Sequence, residues 1–568
     1  MKFLLILFLL PIGVFAESGQ PESESGFQPK EAAHAKKMMV ASANPYATQA
    51  GLDILQKGGN AIDAAIAIQM VLNVVEPQSS GIGGGAFLLY YQKESDEIIA
   101  YDGREMAPQG VNEKWFLDEN SKPFPLGDLI ISGRSVGVPG VLKMLEMAHQ
   151  ERGRLPWREL FLPAIRLAEQ GFPISSRLHQ LIVQTRGLSN SATAAAYLFH
   201  GETPKLEGEI LKNPQLARSL RLIAKEGTRP FYHGEIGREI VKAVQGEGGA
   251  LTLEDLNQYT PLVREPLQTK YGEYVVYGFP PPSSGGIVIA QMLEMMKTRK
   301  CPSDHLGSPS FIDFFCGASR LSFADRDYYL ADPAYFPVPQ ARLMDSDYLK
   351  KRATEIGNKG KPAPGRYPGE TLACCPPLIF TTELELPSTT QICVIDAEGN
   401  GLSMTSSIEN AFGSTLMAAG FFLNNQLTDF SLIPEKEGKK AANRIEPGKR
   451  PLSSMSPTLV FKNDTLYLTI GSAGGARIID YVAKALLGVL KFDLNVQEAI
   501  SFPNYTSLTG AIDLEKGTFL IQEVPALEKL GNSVTIVPLT SGTQGIQSTP
   551  NGLIGGADPR REGRALGK

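Results

Sequence analysis

A mixed α+β fold, helix-rich up to about residue 388 and strand-rich after it, is what this sequence predicts. Three observations predict it. Asn60-Ala61-Ile62-Asp63-Ala64-Ala65-Ile66-Ala67-Ile68-Gln69-Met70 is a run of apolar helix formers behind an N-cap residue. Strand-like runs crowd the later chain, at 389–395, 402–408, 420–424 and 457–470. Between the two halves, 353–388 is rich in Gly, Pro, Lys and Thr, the composition of an exposed stretch open to processing. The other elements follow in order. Residues 17–35 are polar and Gly/Ser/Glu-rich, which predicts disorder. Pro77 ends the first helix, and the glycine cluster at 81–85 leads into a strand at 86–91. Helical patterns cover 141–149 and 159–169. A short strand at 274–277 precedes a Pro/Ser/Gly turn at 280–286 and a helix from 287 to 297.

Composition narrows the function classes. Of the 568 residues 42% are hydrophobic and 20% charged, ordinary for a soluble globular protein. The net charge of -5, with no basic tail, gives no reason to expect nucleic acid. At the N-terminus Lys2 precedes an apolar stretch at 3–15, and Val14-Phe15-Ala16 ends on a small residue, so 1–16 reads as a signal peptide. The stretch is shorter than the roughly 20 residues a membrane span needs. The protein is therefore expected to be exported, to a periplasm or the medium. The five cysteines fit no zinc pattern, and the six histidines are scattered, so no metal site is expected. Cys301 and Cys316 are compatible with a bridge or with buried free thiols.

The most informative residues are Thr389 and its neighbours. If the backbone is cut before Thr389, its hydroxyl gains a free α-amine as a built-in base, with a pKa of roughly 7.7–8.0. That reading predicts a self-cleaving precursor. The turn cluster Asp396-Ala397-Glu398-Gly399-Asn400-Gly401 makes a hairpin of the flanking strands. Pairing Ile395 with Leu402 sets Thr389 opposite residue 408, to within one residue of register. Ser407 and Glu409 then return beside Thr389. The same Thr, Val and Ile residues are also simply good strand formers.

Other motifs have competing readings. Gly81-Ile82-Gly83-Gly84-Gly85-Ala86 matches a dinucleotide fingerprint, but a helix precedes it and a strand follows, the reverse of the required context. Gly133-Arg134-Ser135-Val136-Gly137 matches a serine-hydrolase elbow, with no marked acid or histidine partner. Arg104 suits capture of a carboxylate or is a solvated turn residue. Gly474 and Gly475, before a helix-like run, form an oxyanion hole or a plain turn. Ser453 and Ser454 offer paired hydroxyls or belong to an ordinary loop.

Together these pieces resemble one family, the γ-glutamyltranspeptidases of the N-terminal-nucleophile hydrolases. The resemblance runs from about Ala32 to the Ala557-Asp558-Pro559-Arg560-Arg561-Glu562-Gly563 tail. Its motifs are Gly58-Gly59-Asn60-Ala61-Ile62-Asp63-Ala64-Ala65, Gly103-Arg104-Glu105-Met106-Ala107-Pro108, Pro282-Ser283-Ser284-Gly285-Gly286, Asn424-Asn425-Gln426-Leu427-Thr428-Asp429-Phe430 and Arg450-Pro451-Leu452-Ser453-Ser454-Met455-Ser456-Pro457-Thr458, with the Gly474-Gly475 turn. The resemblance implies a four-layer αββα sandwich and self-cleavage between Ser388 and Thr389. The products would be a large subunit, 17–388, and a small catalytic subunit, 389–568, that stay associated. It implies Thr389 as nucleophile, Ser407 as its hydrogen-bond partner, and Gly474 and Gly475 as the oxyanion hole. Arg104, Ser453 and Ser454 would hold the substrate α-carboxylate, and Glu409, Gln426 and Asp429 its α-amine. The implied substrates are glutathione and related γ-glutamyl compounds, with water or an amino acid as acceptor and no cofactor.

Two features depart from the family's usual pattern. Many members carry Asn at the position of Glu409, and several carry Glu at the position of Gln426, so the two exchanges together leave Glu409 and Asp429 as carboxylates. After Asp429 many members have a long loop with an aromatic gate, whereas 432–449 here is short, Lys-rich and without an aromatic, which predicts a more open site. Three rivals remain at this stage: a related cephalosporin-type acylase, an esterase built on Ser135, and an uncut exported binding protein.

Overall fold

The computed structural model describes residues 26–298, 305–357, 378–379 and 388–568. The expected signal peptide, Cys301 and most of the Gly/Pro-rich stretch before residue 388 lie outside these residues. Two seven-stranded sheets form the centre. One runs in the order Arg564–Gly567, Met39–Ser42, Ser388–Ile395, Gly401–Glu409, Gly85–Gln92, Glu97–Gly103, Leu262–Arg264. The other runs Ala33–Ala35, Gly552–Ala557, Gln544–Thr549, Thr465–Gly471, Thr458–Lys462, Tyr274–Gly278, Leu267–Tyr271. Every neighbouring pair in both sheets is antiparallel.

The period-two geometry of a strand sorts residues into layers. Along Ser388–Ile395, Ile392 and Val394 join a core with helices Pro45–Gln56 and Ala61–Val75, while Cys393 and Ile395 join a core between the sheets. The second sheet splits the same way, except that a register shift at Val460/Phe461 sets Leu466 on the opposite face from Leu468. Val460, Leu468 and Ile470 pack on helices Gly285–Thr298, Pro309–Tyr329 and Ile478–Phe492. Leu459, Phe461 and Leu466 turn inward to meet Phe87 and Leu89. Helix, sheet, sheet, helix is the four-layer αββα sandwich that the resemblance implies.

Helix Ala61–Val75 is buried along its whole length, which explains why it is apolar all round rather than striped. Its start is fixed by a capping box between Asn60 and Asp63, as the sequence predicts for Asn60. The Ala61 N–H also donates to the Asp396 carboxylate at 3.0 Å, which docks the helix on the hairpin turn.

Three expectations need correction. Residues 26–35 are ordered: Gln28 N–H donates to the Pro559 carbonyl, the Lys30 ammonium donates to the carbonyls of Asp558, Arg561 and Gly563, and Ala33–Ala35 adds an edge strand. Those carbonyls replace the water that a polar segment would otherwise need. The strand expected at 420–424 shrinks to Phe421–Phe422. The hairpin register is one residue tighter than inferred, because Ile395 pairs with Gly401. Asp396 closes that turn early by accepting from the N–H groups of Glu398 and Asn400 and from the Asn400 amide. Cys316 is a buried free thiol.

Candidate active site

Odd-numbered residues of the hairpin face the gap between the sheets, so Thr389 and Ser407 share that face. They are direct partners in the ladder, and their hydroxyl oxygens lie 3.1 Å apart. The Ser407 hydroxyl also lies 3.0 Å from the Ser388 carbonyl, to which it donates, and it accepts the Glu409 N–H at 2.8 Å. A hydroxyl has one proton, so while Ser407 donates to Ser388 the Thr389 hydroxyl must be the donor to Ser407. The register shifts between Ser388 and Thr389, which frees that peptide from the regular ladder. The Thr389 carbonyl is held from the other side by Arg561 Nη1 at 3.0 Å.

The glycines at 83 and 84 explain themselves here. A Cβ on Gly84 would overlap the Ser407 carbonyl, and one on Gly83 the Phe422 carbonyl. The cluster is a close-packed turn against the Ser407 strand, with a helix before it and strand Gly85–Gln92 after it. Ser135 is buried, and its hydroxyl donates to the carbonyls of Ile130 and Ser132. A short helix, Leu126–Ile130, precedes it in place of the strand an elbow needs.

The pocket grows from the end of strand Gly401–Glu409. Glu409 takes a left-handed φ of 80°, and its carboxylate accepts from the Asn425 amide. The Asn425 N–H donates to the Ile408 carbonyl, so the 424–429 turn is tied to the strand that carries Ser407. Gln426 Nε2 donates to Asp429 Oδ2 at 3.1 Å, and Arg104 Nη2 meets the same oxygen at 2.6 Å. Arg104 is fully buried and also donates to the carbonyls of Pro451 and Leu452. Ser453 and Ser454 come next in that segment. The Ser454 hydroxyl accepts from Arg326 at 3.3 Å, while the Ser453 hydroxyl accepts the Met455 N–H. The Pro282–Gly286 motif is their clamp: Ser283 donates to the Met455 carbonyl, Ser284 to the Ser453 carbonyl, and a Cβ on Gly285 would overlap the Ser456 hydroxyl.

Gly474 and Gly475 adopt φ of 138° and 60°, both in the region glycine favours, just before helix Ile478–Phe492. Their neighbour Ala473 packs towards Gly542, which in turn lies against the Arg561 side chain that holds Thr389. Gly471 lies against the Gln391 side chain, on the odd face of the Thr389 strand.

Glu105 was not singled out by the sequence. Burial pushes its carboxyl up to about 8, against the opposing pull of the Arg104 guanidinium at 3.5 Å. Asp102, also buried, is held below the usual carboxylate range because the Arg450 and Arg264 guanidiniums outweigh its burial. Arg561, Asn425 and Glu105 stand inside quoted motifs, so their neighbourhood in the chain was the available signal, whereas Arg326, on helix Pro309–Tyr329, had none.

Comparisons with known proteins identify the family. Residues 47–568 match the family described as Gamma-glutamyltranspeptidase. The chain belongs to that family. It is 38% identical to the glutathione hydrolase proenzyme of Bacillus subtilis strain 168, over 93% of this chain and 91% of that protein. It is 36% identical to the Escherichia coli K12 glutathione hydrolase proenzyme over 93% and 91%. Among solved structures, the γ-glutamyltranspeptidase of Helicobacter pylori shares 30% identity with a TM-score of 0.56, covering 61% of this chain and all of that one. Cephalosporin acylase from Bacillus halodurans shares 27% identity with a TM-score of 0.83, covering 97% and 99%. The family fold accounts for the αββα layers. Among the described residues no helix is long and apolar enough to cross a membrane, and no cluster of His, Cys, Asp and Glu could hold a metal ion.

Proposed function

We propose that this chain is an autoprocessed γ-glutamyltransferase and glutathione hydrolase with Thr389 as its nucleophile. The observation that carries the substrate reading is the Arg104–Asp429 pair, with Glu409 tied to the same 424–429 turn through Asn425. An α-amino acid head group is a zwitterion, and a buried cation next to buried carboxylates is its complement. A glutaryl group lacks the ammonium that Glu409 and Asp429 would attract.

Self-cleavage comes first. Thr389 Oγ attacks the Ser388 carbonyl carbon, its proton passes to Ser407, and the Ser407 proton passes to the carbonyl oxygen. The intermediate collapses as that proton moves to the Thr389 nitrogen and the C–N bond breaks. That break frees the α-amine, and water then hydrolyses the Ser388–Thr389 ester, freeing the Thr389 hydroxyl and the Ser388 carboxylate. In turnover the α-amine takes the hydroxyl proton as Thr389 Oγ attacks the γ-carbonyl of glutathione or a related compound. The N–H groups of Gly474 and Gly475 steady the oxyanion, and Arg104, Ser453 and Ser454 hold the α-carboxylate. Glu409, Gln426 and Asp429 hold the α-amine. Cysteinylglycine leaves with the proton, and the γ-glutamyl ester passes to water or to an acceptor amine.

The products of self-cleavage, 17–388 and 389–568, remain together, and 1–16 directs export to a periplasm or the medium. The short 432–449 segment keeps the site open to bulky donors. A cephalosporin-type acylase is the second reading, favoured by the TM-score of 0.83 to the Bacillus halodurans enzyme. Intact mass with N-terminal sequencing, followed by rates on γ-glutamyl- and glutaryl-p-nitroanilide, decides between them. A chain starting at Thr389 with preference for the γ-glutamyl donor is expected. An uncut chain would sink the nucleophile, and preference for the glutaryl donor would sink the substrate assignment.

A further inference from the structure

Behind the bond before Thr389 lies a buried turn, 76–80, that the chemistry above does not use. It leaves helix Ala61–Val75 and spends two carbonyls on the reactive end of the hairpin. The Gln78 carbonyl accepts the Ser388 hydroxyl at 2.6 Å and the Phe412 N–H at 3.1 Å. The Ser79 carbonyl accepts the Ile408 N–H at 3.3 Å. Ser388 and Ile408 flank the Thr389–Ser407 pair, and they do so where the ladder register shifts. At that shift regular strand pairing no longer fixes the peptide, so its orientation depends on such contacts.

The turn is itself braced. Arg177, on helix Ser176–Gln184, donates through Nη2 to the Ser79 hydroxyl at 3.2 Å. Its Nη1 lies 3.6 Å from Glu76 Oε2, with both side chains only 1% exposed. A buried pair of this kind is costly to break from one side, so it makes a stiff brace.

We infer that the 76–80 turn, braced by Arg177, is a positioning device for self-cleavage. It holds the Ser388 hydroxyl so that the Ser388 carbonyl stays on the Ser407 hydroxyl and within reach of Thr389 Oγ. The inference rests on the self-cleavage reading. It also separates two tasks within one site: the Ser388 contact acts on the bond to be cut, whereas the Ile408 contact holds Ser407 before and after the cut. Ser388 and Arg177 are positioning residues, since neither supplies a reacting atom from its side chain.

The test follows cleavage of freshly synthesised full chain over time by intact mass, together with kcat of the cleaved fraction. Ser388→Ala is expected to slow cleavage roughly three- to tenfold, the worth of one hydrogen bond, and Ser388→Thr, which keeps the hydroxyl, to restore it to within about twofold. Arg177→Met is expected to slow cleavage more than Ser388→Ala, with partial recovery in Arg177→Lys. In the Ser388 variants the loss in cleavage rate exceeds any loss in kcat. Ser388→Ala cleaving at the wild-type rate would overturn the inference while leaving self-cleavage intact. Equal losses in cleavage rate and kcat would also overturn it, since a general scaffold gives that result. A wild-type chain that stays whole would instead remove the reading on which the inference stands. Should Arg177→Met fail to fold, the Ser388 pair decides alone.

Discussion

Around Thr389 the side chains are neutral hydroxyls, from Ser388, Thr389 and Ser407, among backbone dipoles, with the Arg561 guanidinium on the Thr389 carbonyl. At the end of the partner strand Gly401–Glu409, Arg104 pairs with Asp429, and Glu409 is tied to the same 424–429 turn through Asn425, all buried. The difference follows from what each region must do. Moving a proton along hydroxyls needs groups of similar acidity and little reorganisation, and a fixed ion beside them would trap the proton. Recognition can bear the cost of burying charge because the ligand brings the missing counter-charges. On the proposed reading the neutral end carries out the acyl transfer and the charged end selects the γ-glutamyl group.

Substitutions can break that division, beginning with the largest effect. Thr389→Ala is expected to leave a single uncut chain and to lower kcat/KM by about 10⁴ or more, read by gel and by release of p-nitroaniline. A cut and active variant would place the chemistry elsewhere. Asp429→Ala takes the closer of two carboxylates from Arg104, and loss of one partner of a buried charge pair costs about 3–5 kcal/mol, or about 10²–10⁴ in kcat/KM for a γ-glutamyl donor. The glutaryl donor should lose far less, and equal losses would mean that the pocket does not read the ammonium. Ser407→Ala should slow self-cleavage by about 10², the low end for loss of one oxyanion donor, with Ser407→Thr close to the parent.

The smallest effect concerns Glu105. Its carboxyl, pushed up to about 8 by burial, lies above its ordinary value of 4.5. Between those values the folded state keeps a proton that the unfolded chain has lost. Stability therefore falls as pH rises through that window and levels off above about 8, with a slope of at most about 1.4 kcal/mol per pH unit. Glu105→Gln should flatten this part of the curve in urea titrations at several pH values. An unchanged slope would mean that Glu105 is ionised in the fold and belongs to the charged set.

Much of this was legible in the sequence because it is local. Asn60 announced its helix, and the turn at 396–401 announced the hairpin that brings Ser407 to Thr389. The one-residue error in register arose because Asp396 folds its side chain back on the turn, a detail that spacing alone does not carry. The ordering of 26–35 was missed for a different reason. Lys30 finds its carbonyls more than 500 residues away, beyond any window of local composition. Arg561 and Glu105 stood in quoted motifs, yet only the packed sheets reveal that one holds the Thr389 carbonyl and the other lies against Arg104. The pairing of Arg104 with Asp429 was likewise invisible, since 325 positions separate them.

The interleaving of strands has a consequence for the lifetime of the protein. In one sheet Ser388–Ile395 and Gly401–Glu409 lie between Met39–Ser42 and Gly85–Gln92, and in the other Thr458–Lys462 pairs with Tyr274–Gly278. A backbone cut before Thr389 therefore leaves both sheets, and the cores on their faces, built from both pieces. Neither piece owns a complete sheet, so neither can rebuild the sandwich by itself in the way the intact chain did. Maturation would burn the folding route behind it: once heated apart, the two pieces have no covalent tether to bring their strands back into register. Endurance of the working enzyme would then be set by the height of the unfolding barrier rather than by a reversible equilibrium, and its apparent melting point would move with the scan rate.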